Sequence, residues 1–125
     1  MITRMISRAA FAALLLLPGA ALAQAQKPDD AQIAHIAYTA GALDIAAAKQ
    51  AMAKASNPDV RAFAQEMARD HQAVNDKALA LVKKLNVTPQ DNSTSQALSK
   101  DAAAHLARLG ALSGAAYDRA YVQNE

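Results

Sequence analysis

One short interruption constrains this chain more than anything else. From Asp30 to Leu85 the residues follow a helical period, and that period is broken at Ser56-Asn57-Pro58-Asp59. Asn57 is a favoured N-cap, Pro58 suits the first helical position, and Asp59 complements the positive end of a new helix. The break predicts one helix from Asp29 or Asp30 to about Ala55 and a second from Pro58 to about Leu85. Lys83 and Lys84 fill the last turn of the second, and Asn86 stops it. So short a connection makes the two helices antiparallel neighbours.

Val87 to Asn92 contains Pro89 and reads as a loop. Ser93 with Gln96 fits a capping box, so a shorter helix is expected from there to about Leu109. Gly110 and Ser113-Gly114 mark another junction, and a further helix starts near Ala115. No alternating strand pattern or phosphate-binding glycine loop is present. The expectation is an all-α bundle. Much of the apolar content is alanine, which favours helices but buries little area per residue, so its core should be thin. The last helix reaches Glu125 in mid-pattern without a stop signal. That suggests an incomplete domain whose C-terminal part is missing, with the apolar faces of the first two helices partly uncovered and self-association as the consequence.

Met1 to Arg8 carries Arg4 and Arg8, Ala9 to Leu17 is apolar, and Pro18-Gly19 precedes Ala21-Leu22-Ala23. A positive start, an apolar middle and an A-x-A end are the parts of a secretory signal. Residues 1–23 are therefore expected to be a signal peptide, 24–29 a linker and 30–125 the helical domain. The destination is the periplasm, with outer-membrane association as a variant. Pro18-Gly19 breaks an apolar run already too short to span comfortably, so no transmembrane segment is expected after signal removal. Taking Arg4 and Arg8 from the 13 basic residues leaves 11, equal to the 11 acidic ones. A neutral chain with few aromatics and no basic run excludes nucleic acid as an expected partner. The absence of cysteine excludes disulfides, thiolate metal sites and a cysteine nucleophile.

Two polar residues sit where apolar ones belong. At roughly 100° per residue, Ile33, Ile36, Ala37, Ala40, Leu43, Ala48 and Ala51 share one face of the first helix, with Asp44 near its middle. His35, Thr39, Ala42, Ala46, Lys49 and Gln50 fall on the other. On the second helix Val60, Phe63, Met67, Val74, Ala78, Leu81 and Leu85 form the stripe, and His71 lies in it. Counted from the turn, His71 is two residues further out than Asp44, a level difference of about 3 Å at 1.5 Å rise per residue. A carboxylate and an imidazole should therefore meet inside the hairpin. A buried carboxylate needs such a partner, and the pair reads either as a structural hydrogen bond or as part of a metal site. Asp118 and Glu125, seven residues apart on the last helix with Tyr121 between them, are candidate further ligands. Asp70 sits at the border of the second helix's stripe. His35 reads as solvated, His105 as a packed or partly exposed residue, and the tyrosines, Met52 and Met67 as packing residues. Asp70 and His71 are sequence neighbours whose side chains diverge on a helix, so they form no dyad. Catalytic motifs are absent, and nothing points to an enzyme.

Lys54-Ala-Ser-Asn-Pro-Asp-Val60, Phe63-Ala-Gln-Glu-Met-Ala-Arg-Asp-His71 and Leu112-Ser-Gly-Ala-Ala-Tyr-Asp-Arg-Ala-Tyr121 occur here in this order. They resemble the exported bacterial proteins grouped as domain of unknown function 4142, a family similar to ferritin-like helical bundles. The resemblance implies a ferritin-like fold in which the segment from Val87 to Leu112 is the crossover between long helices. Asp44 stands where the family commonly has glutamate, and Asp70, His71 and Asp118 match family positions. Members continue past the point matching Glu125 through a further long helix that includes a histidine. The Glu-x-x-His spacing of di-iron ferritins is not present. The leading expectation is a binding module for iron, manganese or zinc, held by Asp44, His71 and Asp118, with Asp70 and Glu125 as further candidates. The alternative is a structural or partner-binding bundle without metal. An oxidase needs more carboxylates than these.

Overall fold

The structure, a computed structural model, describes residues 26–125; the expected signal segment lies outside the described residues. It is an all-α bundle of four helices, α1 (Asp30–Lys54), α2 (Pro58–Lys84), α3 (Ser93–Gly110) and α4 (Gly114–Asn124), with no strand among the described residues. Each helix starts where local chemistry places it. At α1, Asp29 and Gln32 form a reciprocal capping box. At α2, the Asn57 side chain accepts from the Asp59 N–H at 2.8 Å and Pro58 opens the helix. At α3, the cap is Asn92 and not Ser93, since the Asn92 side chain accepts from Ser95 N–H at 3.0 Å. Asn86 ends α2 with a positive φ of 55°, and Gly114 opens α4 with a φ of 57°, a conformation that costs a residue without Cβ little.

α1 is the common partner. α2 returns antiparallel to it through the Ser56-Asn57 junction. The chain then comes back to the start of α1, where Gln90 N–H bonds the Ala31 carbonyl at 2.9 Å. α3 runs parallel to α1 from there: Ser95 pairs with His35, then Gln50 Nε2 donates to the Leu106 carbonyl, and Lys54 Nζ to the Gly110 carbonyl. α4 turns back down α1. α3 is thus the return crossover and lies against the outer side of α1.

This arrangement moves several side chains from their expected environments. His35, expected in solvent, is half-buried under α3, with Nδ1 2.8 Å from Ser95 Oγ and 3.4 Å from Thr39 Oγ1. Thr39 is buried, while Ile33 and Ala37 are exposed. The buried face of α1 facing α2 follows Gly41, Ile45, Ala48 and Ala55, and α2 answers with Ala64 and Asn75. The expected α2 stripe is therefore displaced by about one residue. Val74, Leu81 and Leu85 are left 61%, 55% and 61% exposed. The largest fully buried side chains are Tyr117, Tyr121 and Leu109.

The closest approach is at Gly41, where Asn75 of α2 fills the space a Cβ would take. An added Cβ would lie 2.9 Å from Asn75 Cγ. Asn75 cannot simply withdraw, because it is buried and donates to the Tyr38 carbonyl at 3.2 Å. Gly41→Ala should therefore destabilise the protein by about 1–2 kcal/mol. Overpacking and the broken hydrogen bond outweigh the ~1 kcal/mol gain in helix propensity. Urea unfolding measures this, and a Gly41→Ala protein as stable as the parent would contradict the close approach.

Candidate functional site

Asp44 and His71 meet on the hairpin. Asp44 Oδ2 lies 3.5 Å from His71 Nδ1, and the two side chains are 42% and 32% exposed. The pair is half-open to solvent and not sealed inside the bundle, because α4 covers the hairpin's groove only nearer the turn. Asp44 also borders a groove of about 370 Å³ between α1 and α3, lined further by Leu43, Leu98, Asp101, His105 and Asn124. In it the His105 Nε2 is buried without a hydrogen-bond partner.

α4 delivers the next groups. Tyr117 donates its hydroxyl to Gln50 Oε1 at 3.1 Å. Each turn of α4 moves the chain about 5.4 Å down α1. Tyr121, one turn on, therefore comes level with Ala46 and Ala47, and Glu125, another turn on, with Leu43 and Asp44. Tyr121 is fully buried between Phe63, edge-on at 6.1 Å, and Tyr117, stacked at 6.4 Å. Its hydroxyl has no hydrogen-bond partner. Burial pushes the Tyr121 phenol well above its ordinary value, and the charges of Glu125 and Asp44 add to this. The Glu125 carboxyl is also raised, first by loss of solvent on its inner side and then by Asp44, with His71 acting the other way. In both shifts the charge of Asp44 is a smaller contribution beside burial. Among the described residues, no group of three or more histidine or carboxylate side chains could hold a metal ion.

Asp118 does not join them. Its Oδ1 accepts from Ser56 N–H at 3.0 Å, and its Oδ2 accepts from Ser56 Oγ–H at 2.7 Å and Asn57 N–H at 2.9 Å. The turn between α1 and α2 leaves these donors free of helical partners, and a carboxylate from α4 satisfies all three. Both oxygens are thereby committed to joining α4 to the hairpin. Asp70 also stays apart, exposed and held by Arg69 Nε at 2.9 Å. Of the ligand set expected from the sequence, Asp44 and His71 meet at 3.5 Å, while Asp118 is held by Ser56 and Asn57 and Asp70 by Arg69. Tyr121, read as a packing residue, is one: it is fully buried in the hydrophobic core.

These features define an all-α bundle with a half-open carboxylate–imidazole pair at the lower end of its last helix. The chain belongs to the family described as Domain of unknown function (DUF4142), whose model matches residues 16–125. Searches among curated proteins and among solved structures found no match.

The Ser56 hydroxyl first, and then the Ser56 and Asn57 amides and Arg61, hold the Asp118 carboxyl below the ordinary aspartate value of 3.8, against an opposing effect of burial. A depressed folded-state value stabilises the native state above the unfolded value, and this is lost as pH falls through the folded one. Asp118→Asn should therefore lower the melting temperature clearly at pH 7. The gap from the parent should close as pH falls below 3.8. Asp70→Asn should leave melting nearly unchanged. Thermal melts of the three proteins across pH 2–7 check this, and a pH-independent gap for Asp118→Asn would contradict it.

Proposed function

We propose that this protein is an exported, ferritin-like helical-bundle module that binds a metal cation through Asp44 and His71, with Glu125 as a third ligand. The observation carrying this reading is the Asp44–His71 pair, which bridges two helices at 3.5 Å while remaining open to solvent. That openness leaves access for an ion and its water. Carboxylate and imidazole donors without sulfur suit iron, manganese or zinc. Three such ligands leave coordination positions for water, so the reading is of binding and not of an oxidase. Export rests on the Arg4 and Arg8 start, the apolar Ala9–Leu17 stretch and the Ala21-Leu22-Ala23 end. No helix among the described residues is long and apolar enough to cross a membrane.

The exposed Val74, Leu81 and Leu85 favour a second reading, in which α2 presents an apolar stripe to another helix, from a second copy or a protein partner. Sedimentation analysis separates the two: a concentration-dependent dimer dissociated by Leu81→Lys supports the second reading.

Calorimetric titration with zinc, manganese and ferrous ions should show one ion bound per chain. Bound ion should stabilise the fold by mass action, by about 2.7 kcal/mol at a free concentration 100-fold above Kd. Asp44→Asn and His71→Leu should each abolish that response, and Asp70→Asn should not. An undiminished metal response in Asp44→Asn would refute the site. Expressed with its leader in a bacterium, the protein should be recovered from the periplasm with Gln24 as its first residue. Recovery from the cytoplasm with Met1 intact would refute export.

A further inference from the structure

One face of α2 carries a repeat whose lower half no neighbour covers. Met67, His71, Val74, Ala78, Leu81 and Leu85 follow one another at intervals of 4, 3, 4, 3 and 4 residues. That is the heptad spacing of a helix seam. α1 packs against the flank of this seam that carries Asn75, and Val74, Leu81 and Leu85 stay more than half exposed. α4 meets α2 only above this stretch, where Tyr121 touches Phe63.

The charges beside the seam select what covers it. On the flank away from α1 stand Asp70, Lys77 and Lys84, seven residues apart and all exposed. Arg69 holds Asp70 Oδ1 and leaves Oδ2 open, and Lys84 pairs with no carboxylate among the described residues. In a parallel helix pair this row would face the flank that α1 already fills, and would find no opposite charge there. In an antiparallel pair it faces its own copy reversed, and Asp70 meets Lys84 of the partner subunit twice over. The same register sets Val74 against the partner's Ala78 and Leu81 against the partner's His71. Sliding by one heptad either sets Lys77 against Lys84 or drives Leu81 onto Ala64, which is already buried.

We infer that the helix this stripe receives is α2 of a second copy of the chain, docked antiparallel about a two-fold axis near Lys77 and held in register by two Asp70–Lys84 ion pairs. The inference rests on the second reading above, in which α2 presents its stripe to another helix. A two-fold axis needs a self-complementary surface, and the reversed charge row supplies one. Both copies of α1 then fall on the same side of the α2 pair, so the two hairpins close a four-helix bundle. The apolar layers supply the affinity, and the exposed ion pairs set orientation and register. One contact opposes the arrangement: Lys77 faces its own copy at the axis.

Sedimentation equilibrium of the full chain tests this, with Leu81→Lys, Asp70→Lys, Lys84→Asp and the double charge reversal. These positions are exposed, and circular dichroism checks that each variant keeps its helices. The parent should form a reversible dimer that Leu81→Lys dissociates. Either charge reversal alone sets like charges together at both pairs and should weaken the dimer at least about tenfold. The double reversal should restore it. Mixing the two single variants should restore it too, because each supplies the charge the other lacks. Lys77→Gln should tighten the dimer. A dimer that Leu81→Lys dissociates but the charge reversals leave untouched would overturn the inference and leave the second reading standing. A dimer indifferent to Leu81→Lys would overturn both. A chain that stays monomeric at every concentration would overturn the second copy as the occupant and leave the stripe to a different protein.

Discussion

The close approach of α1 and α2 positions everything else in this bundle. Gly41, Ala48 and Ala64 present little or no side chain at the seam, so the two backbones come near enough for Asn75 to occupy the space beside Gly41. Seams of this kind suit alanine-rich helices, but each alanine removes little apolar area from water. The missing volume must come from elsewhere. It comes from α4, whose Tyr117 and Tyr121 are buried to completion against Ala47, Ala48 and Ala51. Their depth depends on α4 being held at one height. Asp118 holds it there, through three charge-assisted hydrogen bonds to the Ser56-Asn57 junction. The same anchor sets how far along α1 the two tyrosines of α4 sit.

α1 serves three neighbours, and this explains its blurred pattern. A helix that faces one core shows one apolar stripe. α1 turns Gly41, Ile45 and Ala48 to α2, Ala47 and Ala51 towards the tyrosines of α4, and His35, Thr39, Gln50 and Lys54 to α3. The contacts with α3 are largely polar, made by side chains that a wheel assigns to water. Asn92, which caps α3 and also donates to the Gln32 carbonyl, continues them at the lower end. A crossover held by hydrogen bonds leaves little mark on hydrophobic periodicity, which is why His35 read as a solvated residue.

What was legible in the sequence follows the same division. The helical hairpin was, because Ser56-Asn57-Pro58-Asp59 states a stop, a cap and a start in adjacent residues. The meeting of Asp44 with His71 was, because each breaks its helix's stripe and their heights from the turn agree. The placement of Asp118 was not. Its partners are two amides and a hydroxyl of a turn, and turn amides have no sequence signature beyond the turn itself. Which face of α2 points at α1 was off by about one residue, because the bulkier residues Val74, Leu81 and Leu85 dominate a hydropathy reading. The contact was instead decided by the small ones, Ala64 and the neighbours of Asn75. In an alanine-rich hairpin the most hydrophobic stripe and the closest-packing stripe are different surfaces.

That separation bears on the chemistry at the lower end of α4. Where small side chains make the seam, it has no room to bury an ion pair deeply, and the charged groups are left at its edge. Asp44 and His71 keep access to water there, so neither meets the full desolvation cost of a sealed pair. A neutral ligand would find little to neutralise at such an edge. What the edge does present is one carboxylate and one imidazole, 3.5 Å apart and reached by water without opening the core.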